Sequence, residues 1–361
     1  MNLHRKVGQL LMIGFEGEEL SQEFITWLKE YQPGGVILFS RNLVSPAQIA
    51  ELTNSIQAQA PDAPFLIGID QEGGRVSRLP QGFTIFPPAA TVGACHSPDL
   101  AYQAAAVTAQ ELRAVGINMN MAPVLDVNSN PSNPIIGNRA FADDPNEVCT
   151  MGEATISGLH DHGVLACGKH FPGHGDTTAD SHKELPIVNV SKADLERREL
   201  KPFRHAISRG LRAIMSGHVR YPALDDTAPA TLSHKVMTVL LRQDLGFTGL
   251  SLSDDLEMHA IVDHLSVGDA AVQSLQAGVD LLLICQRLDR QIEAVASIQR
   301  ALASGELSPA SIELSLARLF EIKQRFLFSS QSVDPRKIPQ LVGRPSHLEV
   351  LRKIQRLSAS T

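Results

Sequence analysis

The amino-acid sequence predicts a single (β/α)8 barrel of the TIM type, with a short tail helix at the C-terminus. Three observations lead to this fold class. Short apolar runs recur along the chain, amphipathic stretches of helical length separate most of them, and no G-x-G-x-x-G sequence follows the first run. The third observation argues against the open, doubly wound sheet, which is the main alternative for an alternating pattern.

Each apolar run is short enough to form a strand buried on both faces. The runs span residues 11–15, 36–39, 65–70, 117–127, 164–170, 213–218, 249–254 and 281–285. The clearest helical stretches span residues 48–58, 100–115, 146–161, 191–209 and 267–278. We therefore expect a catalytic barrel over 1–328 and a tail over 329–361, extended to residue 346 and helical over 347–357, packed on the barrel.

Composition and charge exclude several classes of partner. The formal net charge is −7 and no basic run is present, which disfavours binding to nucleic acid. The four cysteines are widely spaced and form no C-x-x-C pair, as is typical of proteins from a reducing compartment. Residues 1–15 run from basic to apolar, but an acid-rich stretch follows where a secretory signal would carry small residues. We expect a cytoplasmic monomer without a membrane partner.

Several of the apolar runs end in ionisable side chains. In this fold the active site lies at the carboxyl ends of the strands. Charges at the ends of buried strands cost free energy unless they are paired or solvated, so the pattern predicts a polar cavity at one face of the barrel. The residues at these ends are Asp70, Asp126, Lys169, His170, His218 and Asp254.

The stretch 169–182 is the densest in reactive side chains, with one lysine, three histidines and two aspartates. Pro172, Gly173 and Gly175 prevent it from continuing as a strand or forming a regular helix. We therefore expect an irregular loop at the rim of the cavity.

The run 249–254 leads into Ser253, Asp254 and Asp255. Capping of a following helix is one role for such residues, but it does not explain two adjacent aspartates at the end of a buried strand. A carboxylate beside a sugar-sized cavity can attack an anomeric carbon. A histidine oriented by an aspartate can protonate the leaving oxygen and later deprotonate water. Asp254 is therefore a candidate nucleophile, and Asp180 with His182 a candidate acid/base pair.

These residues lie in five segments that together resemble glycoside hydrolase family 3, and within it the single-domain bacterial β-N-acetylglucosaminidases. The segments are GIDQEGGRVSR at 68–78, APVLDV at 122–127, GNRAF at 137–141, KHFPGHGD at 169–176 with DSH at 180–182, and SDDL at 253–256. The resemblance covers nearly the whole chain.

The resemblance implies a role for each matching position. It makes Asp254 the nucleophile of a retaining enzyme, His182 the acid/base and Asp180 its partner. The residues implied to bind sugar hydroxyls are Asp70, Arg78, Arg139, Lys169 and His170. The implied substrate is a terminal β-linked N-acetylglucosamine, as in the 1,6-anhydro-muropeptides of cell-wall turnover, and no cofactor or metal is implied. Glu257 departs from the family pattern, and we expect it to face outward from the following helix.

Other readings remain open. A metal-dependent barrel hydrolase is disfavoured because Pro172 and Gly173 exclude a helical two-histidine zinc arrangement. A Schiff-base lysine would need an apolar pocket, whereas Lys169 has polar neighbours. A non-catalytic sugar-binding protein would be expected to lack the nucleophile or the acid/base. Within the enzyme class, a family 3 glycosidase of broader specificity at the sugar 2-position, transfer to another sugar, and phosphorolysis all stay possible, because a histidine acid/base does not repel phosphate.

Overall fold

The computed structural model describes residues 1–60, 63–181, 183–327 and 332–359. Its strands are β1 Leu11–Ile13, β2 Gly35–Leu38, β3 Leu66–Ile69, β4 Met119–Asn120, β5 Leu165–Phe171, β6 Ala213–Ser216, β7 Arg220–Tyr221, β8 Asp225–Pro229, β9 Leu250–Asp255 and β10 Leu281–Ile284. Eight of them form a closed parallel barrel in the order β1-β10-β9-β6-β5-β4-β3-β2, which confirms the predicted fold class. β7 and β8 form a separate antiparallel pair.

Helices surround the barrel, and each of the five predicted helical stretches is confirmed. The α-helices are α1 Leu3–Gln9, α2 Gln22–Tyr31, α3 Pro46–Gln57, α4 Ala89–Gly93, α5 Pro98–Ala114, α6 Pro145–Asp161, α7 Lys192–Asp194, α8 Leu200–Ser208, α9 His259–Val262, α10 Val267–Ala277, α11 Leu288–Ser304, α12 Pro309–Leu327, α13 Ile338–Leu341 and α14 Pro345–Ser358. Two segments are π-helical, Leu195–Glu199 and Lys235–Asp244, and short 3₁₀ turns lie at Ser40–Asn42, Gly137–Arg139, Ala230–Leu232 and Pro335–Lys337. The first π-helical segment joins α7 to α8.

Apolar side chains fill the inside of the barrel, as this fold requires. Met12, Leu66, Leu165 and Leu252 belong to one buried cluster inside the ring of strands. Leu319, Ile322 and Phe326 of α12 belong to the same cluster. Because Leu319 packs beside Gly34, just before β2 begins, α12 covers the amino-terminal end of the barrel. The polar cavity therefore lies at the opposite end, where the strands finish.

The strand predicted over 117–127 is much shorter than expected. Only Met119–Asn120 form β4, and Val124 makes a single isolated bridge to Lys169. Pro123 has no N–H to contribute to a ladder, although its carbonyl accepts a hydrogen bond from Lys169 N at 3.1 Å. Ala122 O and Leu125 N also bond to the β5 backbone, at Cys167 N (2.9 Å) and Lys169 O (2.7 Å). The buried segment therefore runs beside β5 as an irregular loop and does not continue β4.

The extended tail predicted over 329–346 is wrong within the described residues. Its middle is helical, because a 3₁₀ turn at Pro335–Lys337 leads directly into α13, and Asp334 accepts a hydrogen bond from Arg336 N at the start of the turn. The predicted terminal helix is confirmed as α14, whose His347 contacts Glu111 of α5 at 2.7 Å. The domain boundary at 328 stays a prediction, because residues 328–331 lie outside the described chain. Within the described ranges, the helices are all too short or too polar to cross a bilayer.

Candidate active site

The carboxyl ends of the barrel strands surround a cavity of about 410 Å³. Six of the predicted site residues line it: Asp70, Arg78, Arg139, Lys169, His170 and Asp254. These residues meet because the barrel strands are parallel, so each strand ends at the same face of the barrel. Phe39, Arg41, Glu72 and His174 also contribute to the wall, and none of them was predicted to be a site residue.

A buried carboxylate, Glu72, connects the basic residues of the cavity. It accepts two hydrogen bonds from Arg139, Nε to Oε2 at 2.9 Å and Nη2 to Oε1 at 2.8 Å. Lys169 Nζ lies 2.6 Å from the same Oε1 and 2.7 Å from Asp70 Oδ1. Arg78 approaches Asp70 at 3.8 Å. Glu72 is two residues beyond Asp70, and this spacing was the one sequence signal that could have identified it.

The charged side chains around Glu72 keep its carboxylate and the Lys169 ammonium ionised. Burial disfavours the charged form of Glu72, but Lys169 and Arg139 outweigh burial and lower its pKa well below the ordinary range. Burial likewise opposes the charge on Lys169, yet Asp70 and Glu72 raise the pKa of its ammonium. The cavity therefore presents fixed charges, and charge-assisted hydrogen bonds from such groups suit vicinal hydroxyls of a sugar.

His170 is oriented by a second buried carboxylate. Its Nδ1 lies 2.7 Å from Asp126 Oδ2, and its Nε2 lies 3.4 Å from Arg139 Nη2. Asp126 Oδ1 also accepts hydrogen bonds from the backbone N–H groups of His170 and His174. Burial acts against ionisation of Asp126, but the two histidines lower its pKa. The contact with Asp126 therefore fixes the orientation of the His170 ring, with Nε2 directed toward Arg139.

Asp254 lies at the end of β9 and lines the cavity. Its Oδ1 accepts a hydrogen bond from the backbone N–H of Asp255 at 2.8 Å. Asp255 faces the same cavity, and its Oδ1 accepts from Glu257 N at 3.0 Å and Cys285 N at 3.3 Å. Burial raises the pKa of Asp255 to about 7, with further contributions from Glu257 and Asp254. The two adjacent aspartates therefore occupy different electrostatic environments.

Glu257 does not face outward, so that expectation is wrong. Its side chain is only 4% exposed and accepts hydrogen bonds from Gln286 N at 2.6 Å and Arg287 N at 3.3 Å. No helix starts directly after Asp254, since α9 begins at His259. Glu257 instead binds the backbone that precedes α11, where unpaired N–H groups favour a carboxylate.

The predicted irregular loop follows β5 and folds over the cavity. Ser181 lines the cavity, and its carbonyl accepts a hydrogen bond from Ala260 N at 3.3 Å. His174 Nε2 lies 3.2 Å from Ser181 Oγ, while burial and the nearby His170 lower the pKa of His174 to about 4. His174 is thus a neutral, structural member of the loop.

Asp180 precedes Ser181, and its carbonyl accepts hydrogen bonds from Lys183 N and Glu184 N in a tight turn. His182, the predicted acid/base, lies outside the described residues. Of the predicted segment Asp180–His182, the described residue that lines the cavity is therefore Ser181.

His218, which follows β6, is fully buried and structural. Its Nδ1 lies 2.8 Å from Thr231 Oγ1, and its Nε2 lies 3.0 Å from the carbonyl of Asp255. Within the described part of the chain, no group of three or more histidine, cysteine, aspartate or glutamate side chains is arranged to bind a metal ion.

Comparison with known proteins gives a consistent result. The family described as "Glycosyl hydrolase family 3 N terminal domain" matches residues 2–322. A β-hexosaminidase of Nitrosomonas eutropha is 44% identical over 296 residues, which cover 80% of this chain and 84% of that protein.

Two solved structures are also similar. A glycoside hydrolase family 3 β-N-acetylglucosaminidase from Paenibacillus sp. superimposes with a TM-score of 0.95 at 43% identity, covering 99% of this chain and 69% of that one. NagZ from Neisseria gonorrhoeae, solved in complex with N-trifluoroacetyl-D-glucosamine, gives a TM-score of 0.81 at 31% identity and covers 97% of this chain and 98% of its own.

Proposed function

The chain belongs to glycosyl hydrolase family 3 and is a glycoside hydrolase of the β-hexosaminidase type, and from that premise we propose a retaining exo-β-N-acetylglucosaminidase. In this proposal Asp254 attacks the anomeric carbon, and Asp180 with His182 acts as the acid/base pair. The observation that carries the proposal is the position of Asp254 in a cavity whose other walls present fixed charges and the loop that contains Asp180.

Binding precedes the chemistry. Asp70, Arg78, Lys169, Arg139 and His170 surround one region of the cavity and offer both donors and acceptors. Because Glu72 and Asp126 fix the orientation of Arg139, Lys169 and His170, these donors need little rearrangement when a sugar enters. In this proposal, the preorganised groups hold a terminal sugar with its anomeric carbon next to Asp254, which would lower the entropic part of the barrier.

The proposed reaction has two displacement steps. In the first, a carboxylate oxygen of Asp254 bonds to C1 while the glycosidic C–O bond breaks and protonated His182 transfers its proton to the departing oxygen. In the second, neutral His182 removes a proton from water, the water oxygen bonds to C1 and the ester to Asp254 breaks. Two inversions give net retention at C1. Asp180 orients the imidazole and stabilises its protonated form.

We extend the proposal to the natural substrate. The β-hexosaminidase names of the relatives and the N-acylated glucosamine in the NagZ complex support recognition of a 2-acetamido sugar. We propose that the protein is a cytoplasmic monomer that releases N-acetylglucosamine from 1,6-anhydro-muropeptides during cell-wall recycling. This assignment follows the NagZ type of enzyme, which the chain resembles along almost its whole length.

The deciding experiment is a panel of aryl β-glycosides that differ only at the 2-position, with reaction products followed by NMR. We expect turnover of the 2-acetamido sugar to exceed that of the glucoside by at least about 10²-fold, and the β-anomer to form first. Formation of the α-anomer first would overturn the retaining mechanism. Equal rates across the panel would favour the broader family 3 glycosidase, and a 1-phosphate product in phosphate buffer would favour phosphorolysis.

A further inference from the structure

A buried glutamate lies directly behind the loop that carries Asp180. Glu199 is the last residue of the π-helical segment Leu195–Glu199, which connects α7 to α8. In this segment Leu200 N bonds to Leu195 O, so the turn is one residue wider than an α-helical turn. The widened turn directs Arg198, Glu199 and Leu200 toward the barrel, and Glu199 and Leu200 are fully buried.

Glu199 and Arg198 connect the loop to the rest of the protein. Glu199 Oε1 accepts hydrogen bonds from Arg198 Nε at 2.6 Å and from Ser129 Oγ at 2.9 Å. Arg198 Nη2 in turn donates to Asp176 Oδ2 at 2.5 Å. Asp176 belongs to the loop after β5, whereas Ser129 belongs to the loop after β4. The pair therefore joins both loops to one helix.

Glu199 also packs against the first bend of the same loop. Gly173 has a φ of +131°, and a Cβ atom added there would lie 2.7 Å from the Cβ of Glu199. Tyr221 donates a hydrogen bond to the carbonyl of Gly173 at 2.6 Å. Only a residue without a side chain fits between Glu199 and the backbone at this bend. The direction in which the loop leaves β5 is thus set by Glu199 on one side and by Tyr221 on the other.

The carboxylate is unfavourable for folding at neutral pH. Burial raises the pKa of Glu199 to about 7, against the opposing effects of Arg198 and Ser129. The other charged or titratable groups facing it are Asp126 and Tyr221, and neither stabilises the anion. Because the folded protein retains the proton to higher pH than the unfolded chain, this group lowers stability progressively between about pH 4.5 and 7. Its Oε2 atom has no hydrogen-bond partner among the described residues.

We propose that Glu199 is a positioning residue for the glycosidase reaction, which places the acid/base loop through Arg198 and Gly173. The inference rests on the proposed role of Asp180 and His182, since these residues lie at the far end of the loop that Glu199 supports. Glu199 destabilises the fold as a carboxylate, yet it contacts this loop directly at Gly173 and through Arg198 at Asp176. Such a group has a functional rather than a structural reason to be present.

The test compares Glu199→Gln with Glu196→Gln, which changes an exposed carboxylate in the same helical segment. Both are assayed with dinitrophenyl and phenyl β-N-acetylglucosaminides, because only the poorer phenolate leaving group depends strongly on the acid. We expect Glu199→Gln to lower kcat about ten-fold for the phenyl substrate and at most about two-fold for the dinitrophenyl substrate. KM should be unchanged, and the melting temperature at pH 8 should be equal to or above that of wild type.

Arg198→Gln provides a second variant that breaks the connection to Asp176 without altering Glu199, and it should show the same preference for the better leaving group. Equal losses on both substrates, or a lower melting temperature with no change in leaving-group preference, would overturn the proposal. His182→Ala is measured alongside. If it shows no leaving-group dependence, the proposed acid role fails. If His182→Ala does show leaving-group dependence while Glu199→Gln behaves as wild type, only the positioning role fails.

Discussion

Arg139 and Glu72 form two parallel hydrogen bonds, of 2.9 and 2.8 Å, at a depth where their side chains are 9% and 5% exposed. Lys169 approaches the same carboxylate, so one anion pairs with two cations within the cavity wall, and Asp70 supplies a second anion to Lys169. Bidentate pairing fixes the plane of the guanidinium as well as its position. The donors that Arg139 and Lys169 present to the cavity are therefore oriented by Glu72.

Replacing Glu72 should affect binding and stability together. Glu72→Gln leaves Lys169 and Arg139 with one fewer anion, and its amide NH₂ faces guanidinium donors. We expect the free energy of unfolding to fall by about 3 kcal/mol. We also expect kcat/KM for an aryl β-N-acetylglucosaminide to fall about 10²-fold, mainly through KM. Urea unfolding and steady-state kinetics measure the two effects.

The matched control is Glu321→Gln, which neutralises an exposed carboxylate on α12. It should change neither quantity. Wild-type kinetics for Glu72→Gln would mean that the orientation of Arg139 and Lys169 does not depend on this carboxylate.

The two adjacent aspartates should differ sharply in function. Asp254→Ala should lower kcat by at least about 10⁴-fold, because it removes the proposed nucleophile. Asp255→Asn should lower it by less than about ten-fold, since an amide oxygen can accept the same bonds from Glu257 N and Cys285 N. An activated 2-fluoro sugar followed by peptide mass spectrometry should place the label on Asp254. A label on Asp255 would reverse the two assignments.

The sequence predicted the fold and the strand-end residues for a physical reason. Asp70, Lys169 and Asp254 end buried strands, and their charges would cost free energy in apolar surroundings. The pattern therefore predicted a polar cavity at the strand ends. Glu72 and His174 do not lie at the ends of apolar runs, and their roles depend on which distant side chains face them. Pairwise contacts across a barrel are not encoded in local spacing.

Three other features were not predicted, for related reasons. An apolar segment around Pro123 is buried as a loop, and burial alone does not distinguish a loop from a strand. Glu257 was predicted to be an exposed helical residue. The sequence does not show that backbone N–H groups before α11 lie close enough to bind its carboxylate. Similarly, the wide turn that directs Glu199 inward has no simple sequence signature.

The acid/base pair gives a prediction that separates its two members. His182→Ala should lower kcat/KM about 10²-fold or more for a phenyl substrate, and much less for a dinitrophenyl substrate that needs little protonation. Asp180→Asn retains the shape of the side chain but removes the charge that favours protonated imidazole, so its loss should be intermediate and grow with pH. Rates measured from pH 5 to 9 test this. Equal losses for His182→Ala with both substrates would exclude the acid role, and wild-type activity of Asp180→Asn would exclude the pair.

A buried lysine at the other end of the barrel makes stability depend on pH. Lys323 of α12 is 4% exposed, and its Nζ donates to Gln9 Oε1 at 2.9 Å. Burial lowers the pKa of Lys323 to about 7. Between this value and its unfolded pKa of about 10.5 the unfolded chain binds the extra proton, so the contribution of Lys323 to stability rises with pH. Below pH 7 the folded protein is protonated as well, and the cost of the buried charge is greatest.

Lys323→Met should therefore be more stable relative to wild type at pH 7 than at pH 10. As pH rises through this window, the unfolding free energy of wild type should increase relative to that of the variant by about 1.4 kcal/mol for each pH unit. This slope is the linkage expected for one proton. Loss of the bond to Gln9 is independent of pH and does not affect the slope. Urea unfolding at pH 7, 8, 9 and 10 measures it, with Lys353→Met, an exposed lysine of α14, as the control. Parallel curves for wild type and Lys323→Met would show that Lys323 keeps an ordinary pKa in the folded protein.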